Sequence, residues 1–241
     1  MTPPATKYGP LHALVAGAVL VYAVLSNGFA AFWQQFLHGM NVELNEKTLL
    51  PLLGYNTLFF GGLFLILWTS TFLGRAVTPQ PPPHWDNGRL ARCLRLALLS
   101  ALPICLIALG LNWASTELLS RLADIDLADQ DLVKVVASNT LSPSGKVLLY
   151  AFLLLEAPLL EEPLFRGVTF GGLTKIMPVW LAMLLSGFLF AFVHVNAATF
   201  IPLWFLGVAF AWLYVRTGTL LAPMAVHFIF NATNLAFCLF F

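Results

Sequence analysis

Long stretches of this chain carry no formal charge, and their lengths constrain the fold more than any other feature. No Asp, Glu, Lys or Arg occurs between Lys7 and Glu43, between Lys47 and Arg75, between Arg95 and Glu117, or between Lys175 and Arg216. A charge at the centre of a bilayer costs about 2.5 to 3.5 kcal/mol on insertion scales, so charge-free apolar runs mark membrane spans. The runs predict a first helix over 11–33, a second over 49–73 and a third between Arg95 and Glu117. A fourth apolar run starts at Val147 and meets Glu156, Glu161 and Glu162 before it can finish a crossing. The stretch from Lys175 to Arg216 is long enough for two spans, divided at His194-Val195-Asn196 and Pro202, because a span needs only about 20 residues. A last helix runs from Leu220 to the C-terminus. The predicted fold is therefore all-α, a polytopic transmembrane bundle of seven helices over a single domain, 1–241. An eighth helix follows if the segment 112–145, otherwise an extramembrane acidic loop, re-enters the membrane.

Composition agrees. Hydrophobic residues make up 59% and charged residues 10% of the chain, with a mean hydropathy of +0.84, whereas a soluble domain is about a quarter charged. A net charge of +1 provides no electrostatic footprint for nucleic acid as a partner. Cys93, Cys105 and Cys238 lack the spacing of a zinc site or a disulfide framework and read as small buried hydrophobes. The first apolar run is too long for a signal peptide and ends without a small-residue cleavage site, so the expectation is that it stays in the mature protein. A cytoplasmic N-terminus puts Lys7, Arg75, Arg89, Arg92, Arg95, Arg166, Lys175 and Arg216 inside and leaves Lys47, Arg121, Lys134 and Lys146 outside. That is the arrangement the positive-inside rule favours, in a plasma (inner) membrane. Thr78 to Pro83 (TPQPPP) reads as a stiff cytoplasmic connector.

Ionisable residues inside the membrane are expensive, and each is by default a functional hypothesis. Glu161-Glu162 and Arg166 read EExxxR at the end of the fourth run. Phe190 and His194 read FxxxH, with Ser186 one turn earlier. His227 and Asn231 read HxxxN in the last helix. Residues four apart share a helix face, so Glu162 can pair with Arg166 if helix continues past Pro163, which could instead kink it or begin a new one. His227 and Asn231 can by the same rule point two donors at one spot. A carboxylate, a histidine and two donors are the parts that peptide hydrolysis by activated water requires. Glu161 would act as general base and His194 would hold or polarise the water. His227 and Asn231 would stabilise the tetrahedral oxyanion, a contribution of roughly 3 to 4 kcal/mol per donor.

The three motifs, in this order on successive apolar segments, resemble the type II CAAX prenyl endopeptidase family, also called the CPBP or Abi intramembrane protease family. The resemblance covers roughly 145–241, which would be the catalytic core; the earlier spans match only in being hydrophobic. It implies an α-helical membrane fold with a cavity open to the cytoplasmic side and the lipid. It also implies catalytic roles for Glu161, His194, His227 and Asn231, with Glu162, Arg166 and Phe190 in support. Pro163 directly after the glutamates and the extra carboxylate of Glu156 depart from the expected pattern. The implied activity is endoproteolysis near the C-terminus of a membrane-embedded or lipidated protein or peptide, prenylated CaaX proteins among them. If zinc is bound, its ligands would be Glu161, His194 and His227 with one position left for water. There is no HExxH, and a glutamate base needs no metal, so a glutamate-and-histidine mechanism without an obligatory cofactor is the favoured reading.

Blander readings stand beside these. Adjacent carboxylates at the end of an apolar helix can be solvated and inert, and a lone membrane histidine is more often a packing residue. A non-catalytic immunity or scaffold protein of the same fold is the alternative from another class. A secondary transporter would show two similar halves with broken helices, whereas here the ionisable residues crowd into the C-terminal half. Gly61-Gly62, Gly171-Gly172, Gly187 and Gly207 suit close helix packing or bends.

Overall fold

A helix with leucines on one side and small residues on the other is what a lipid-facing element requires, and the first described helix has that form. The computed structural model describes residues 87–123, 141–194 and 196–240, with Gly54, Leu58 and Gly62 as isolated helical positions. Helix α1, Asn87–Ala123, has 37 residues and spans about 55 Å at 1.5 Å per residue, well beyond a hydrocarbon core of about 30 Å. It extends past the charge-free run at both ends, taking in Arg89, Arg92 and Arg95 at one and the exposed Glu117–Arg121 pair at the other. Cys93, Ala97, Ala101, Ile104 and Ala108 form its buried stripe, spaced three and four apart, while Leu98, Leu99, Leu102 and Leu106 are exposed. Small side chains on the inner face let helix backbones approach, and leucines are as well solvated by lipid as by protein.

From Ser142 the chain runs as one helical rod of five consecutive segments, together α2. They are Pro143–Ala151, the π-helical Phe152–Glu156, Ala157–Glu162, the π-helical Pro163–Phe170, and Gly171–Leu173. Ser142 caps the start, its Oγ accepting the Gly145 N–H at 3.1 Å, with Pro143 in the first turn. The helix does not stop at Pro163. It widens into a π turn there, because a proline has no N–H for the bond four residues back.

Helix α3, Val179–Phe192, α4, Ala197–Thr217, and α5, Leu221–Phe240, complete the described chain. The break between α3 and α4 falls at 193–196, where the Asn196 side chain accepts the Thr199 N–H at 3.1 Å and starts α4. Pro202, expected as a divider beside 194–196, instead lies inside α4 near its start. Gly218, with φ of 65°, ends α4; a left-handed residue at this position is the usual glycine terminator. Helices α3 and α4 cross in close contact at Gly187 and Gly207: a Cβ on Gly207 would meet the Gly187 Cα at 2.5 Å. Helix α4 is the hub, packing on α1, α3 and α5. Phe210, Leu206 and Leu213 of α4, with Ala222 and Val226 of α5, bury the inner stripe of α1.

The described residues form an all-helical membrane bundle. Among them α1 over Leu90–Arg121, α4 and α5 are long and apolar enough to cross a membrane, and α3 is a shorter apolar helix. The chain is an integral membrane protein. Residues 112–123 are the last turns of α1, so the segment expected to leave the membrane at 112 begins as helix. The spans expected over 11–33 and 49–73, the TPQPPP connector and the acidic stretch Asp124 to Asp131 lie outside the described residues. Cys93 and Cys105 are buried, as small hydrophobes would be.

Candidate active site

The short segment Ala157–Glu162, held between two π turns, ends on two glutamates that meet different surroundings. Glu162 points into the protein and is fully buried, and so is Arg166 one turn later, with side-chain exposures of 0% and 1%. Arg166 Nε lies 3.1 Å from Glu162 Oε2. The contact is ionic without the alignment of a hydrogen bond, since neither atom has a hydrogen-bond partner. Glu162 Oε1 accepts from His227 Nδ1 at 2.9 Å, which ties α2 to α5. An ionised carboxylate only accepts, so this bond fixes the Nδ1 proton and leaves Nε2 as the ring atom facing outward.

Burying an arginine requires more than one partner, and aromatic rings supply the rest. The guanidinium lies 4.6 Å from the Phe190 ring centroid and 5.0 Å from that of Phe210. Desolvated cation–π contacts of this kind are worth about 2 kcal/mol each. Arg166 Nη2 also donates to the Gly207 carbonyl at 3.4 Å. Phe210 stacks on His227 with centroids 5.1 Å apart and planes 26° apart. Phe190 meets His194 at 4.9 Å, His227 at 6.0 Å and Phe165 at 5.1 Å. The phenylalanine of FxxxH is thus the common wall between the buried arginine and both histidines.

Glu161 is different. Its side chain is 20% exposed and its Oε2 has no hydrogen-bond partner, while His227 Nε2 lies 3.9 Å away. His194, at the exposed end of α3, shares a 2.7 Å hydrogen bond between Nδ1 and the Phe190 carbonyl. A carbonyl only accepts, so Nδ1 carries the proton and the neutral ring keeps its Nε2 lone pair.

The structure brings Glu161, Glu162, Arg166, Phe190 and His227 together and joins His194 to them through Phe190. Asn231 is on the same face of α5 as His227, but its Nδ2 donates to the Leu153 backbone carbonyl at 2.8 Å. The two donors expected to converge on one spot are thus directed at two different acceptors, Glu162 and Leu153. Among the described residues, no three His, Cys, Asp or Glu side chains are arranged to hold a metal ion. Phe210 and Gly207 escape sequence reading: a phenylalanine in an apolar run looks like any core residue, and a backbone carbonyl carries no sequence signal. Glu156, in the first π turn, has one buried oxygen without a hydrogen-bond partner.

A cavity of about 810 Å³ opens beside the site, between the end of α1, the end of α3 and the start of α4. Leu118, Leu119, Phe188, Phe192 and Phe200 line it, and it reaches Val193 and Asn196 on either side of His194.

Comparison with known proteins points the same way. Residues 143–233 match the family described as type II CAAX prenyl endopeptidase Rce1-like. Over 74 residues the chain is 34% identical to the Bacillus subtilis (strain 168) protein named "Putative membrane peptidase YdiL", covering 31% of this chain and 30% of that one. Over 87 residues it is 38% identical to the "Membrane-embedded CAAX protease MroQ" of Staphylococcus aureus (strain USA300), covering 33% and 35%. The chain thus spans about a third of the length of these two curated relatives. No solved structure matches it significantly. The three motifs and the buried Glu162–Arg166–His227 cluster all fall within 143–233, the residues that match the type II CAAX prenyl endopeptidase Rce1-like family model.

Proposed function

We propose that this chain is an intramembrane endopeptidase that hydrolyses a peptide bond with water activated by Glu161. The observation that carries the reading is the contrast between the two glutamates. Glu162 is committed to Arg166 and His227, whereas Glu161 keeps an unpartnered carboxylate oxygen 3.9 Å from His227 Nε2. Glu161 takes a proton from water as the water oxygen attacks the scissile carbonyl carbon. His194 accepts the other water hydrogen at Nε2 and orients it. The negative charge that forms on the carbonyl oxygen is met by His227 Nε2–H when the ring carries both protons, Glu162 balancing that charge from the far side. Collapse of the tetrahedral intermediate breaks the C–N bond, and Glu161 returns its proton to the leaving amine.

The substrate we infer is a membrane-associated protein or peptide with an apolar anchor, cut near its C-terminus; a prenylated CaaX sequence is the first candidate. The relatives named as a membrane peptidase and a CAAX protease support this, as does the apolar cavity beside His194. A cytoplasmic N-terminus, from the distribution of basic residues, completes the proposal. The test is cleavage of a farnesylated CaaX reporter peptide by the purified protein in lipid. The expected result is release of the residues beyond the lipidated cysteine, insensitive to a strong zinc chelator. Loss of activity on chelation, restored by zinc, would replace the metal-free mechanism. No cleavage of this or any other membrane-anchored peptide by folded protein would support a binding protein instead.

A further inference from the structure

We infer that the end of the bundle where α1, α3 and α5 begin is a docking surface for anionic phospholipid headgroups. Helix packing gathers cations there from separate parts of the chain. Ser115 and Leu118 near the end of α1 line one cavity with Ala197 and Ile201 at the start of α4. The two packed helices are therefore antiparallel, and Arg92 and Arg95 of α1 lie at the end where α4 finishes with Arg216. Helix α2 finishes there too: the Phe170 and Tyr214 ring centroids are 6.1 Å apart, and Lys175 follows in the turn to α3. Arg92, Arg95, Lys175 and Arg216 are all exposed. Among the described residues no carboxylate shares this end: Glu117 is near the far end of α1, and Glu156, Glu161 and Glu162 are inside α2. The opposite end differs, since Arg121 pairs with Glu117 there and Lys146 is half-buried.

Apolar surface between the cations identifies the partner as lipid. Ile176 and Trp180 are exposed beside Lys175, and the Arg216 guanidinium lies 5.5 Å from the Trp212 ring centroid. Tryptophan at the end of an apolar helix suits the headgroup level. Helices α1 and α4 are long and apolar enough to cross a membrane, so their shared end lies at its boundary. A phosphodiester accepts charge-assisted hydrogen bonds from guanidinium, and an anionic leaflet attracts each cation near its surface. His227 lies six residues beyond Leu221 on α5, about 9 Å along the axis, so bound headgroups border the catalytic cluster. The binding itself does not depend on the protease reading.

The test reads the melting temperature of the full-length chain in nanodiscs of phosphatidylcholine, with and without added phosphatidylglycerol. Ligands that bind only the folded state raise it. Wild type should gain about 4 °C or more from phosphatidylglycerol, and high salt should remove most of that gain by screening exposed charges. The variant Arg92→Gln/Arg95→Gln/Arg216→Gln should melt like wild type in phosphatidylcholine and keep less than half of the gain. Arg121→Gln/Lys146→Gln, at the opposite end, should keep all of it. Inorganic phosphate added to phosphatidylcholine discs should reproduce none of it. Equal melting of wild type in both lipids would overturn the inference and leave the cations to an acidic soluble partner. It is equally overturned by a triple variant that gains as much as wild type, by an opposite-end variant that loses the gain, or by phosphate alone supplying it. If the triple variant does not fold, Arg95→Gln and the salt dependence of wild type decide: a smaller, salt-sensitive gain supports the inference, and a gain that neither changes overturns it.

Discussion

At the scale of single residues, adjacent glutamates have acquired opposite surroundings through one backbone step. Successive side chains on a helix point about 100° apart, so Glu162 enters the bundle beside Arg166 while Glu161 stays at the partly exposed rim. Replacing Glu162 with Gln keeps its shape but strands the Arg166 guanidinium in a dry site. Removing one partner of a buried ion pair typically costs about 3 to 5 kcal/mol. The expected outcome is a large drop in melting temperature, with activity lost through folding; it is checked by comparing Glu162→Gln with Glu162→Gln/Arg166→Met, which should regain stability. The EExxxR spacing made the Glu162–Arg166 pair legible in the sequence. Nothing in it showed that His227, 65 positions away, takes the other Glu162 oxygen, because that depends on how α5 packs on α2. Asn231 was legible as a polar residue in an apolar helix, but its partner is a backbone carbonyl, which has no signature of its own.

At the scale of elements, the irregular parts of α2 flank the two glutamates. Helix α2 could have been a plain rod, yet Pro158 and Pro163 divide it into α and π segments around the glutamates. The second proline, an ambiguous signal in the sequence, proves compatible with a continuous helix because a π turn absorbs the missing donor. The opposite misreading occurs at Pro202, which α4 accommodates near its start while Asn196 provides the real boundary. The α3–α4 crossing is set by Gly187 and Gly207, which the sequence marks as sites of close helix packing or bends without showing that they meet each other. A Cβ on Gly187 would meet Val208 Cγ2 and the Val208 N at 2.8 Å, so Gly187→Ala must push the helices apart. Overpacking of this kind costs about 1 to 3 kcal/mol. Because Gly207 also accepts from Arg166, Gly207→Ala should lower activity more than stability alone explains, measured as kcat on the fraction that remains folded.

At the scale of the whole molecule, the described helices place an ionic cluster inside an apolar bundle and hold the partly exposed Glu161 side chain beside it, its Oε2 without a hydrogen-bond partner. The all-α membrane class followed from charge-free runs alone, because the bilayer enforces it. How the helices pair did not follow, since in lipid every apolar face looks alike and small residues decide which ones meet. The central claim is that Glu161, and not Glu162, carries the reacting proton. The most direct test is Glu161→Gln, purified in lipid and assayed on the reporter peptide that wild type cleaves, with its melting temperature measured alongside. The account predicts an unchanged melting temperature, because Glu161 Oε2 has no hydrogen bond to lose. It predicts a fall in kcat of about a hundredfold or more, in line with removal of a general base. A folded Glu161→Gln protein that still cleaves at the wild-type rate would contradict it.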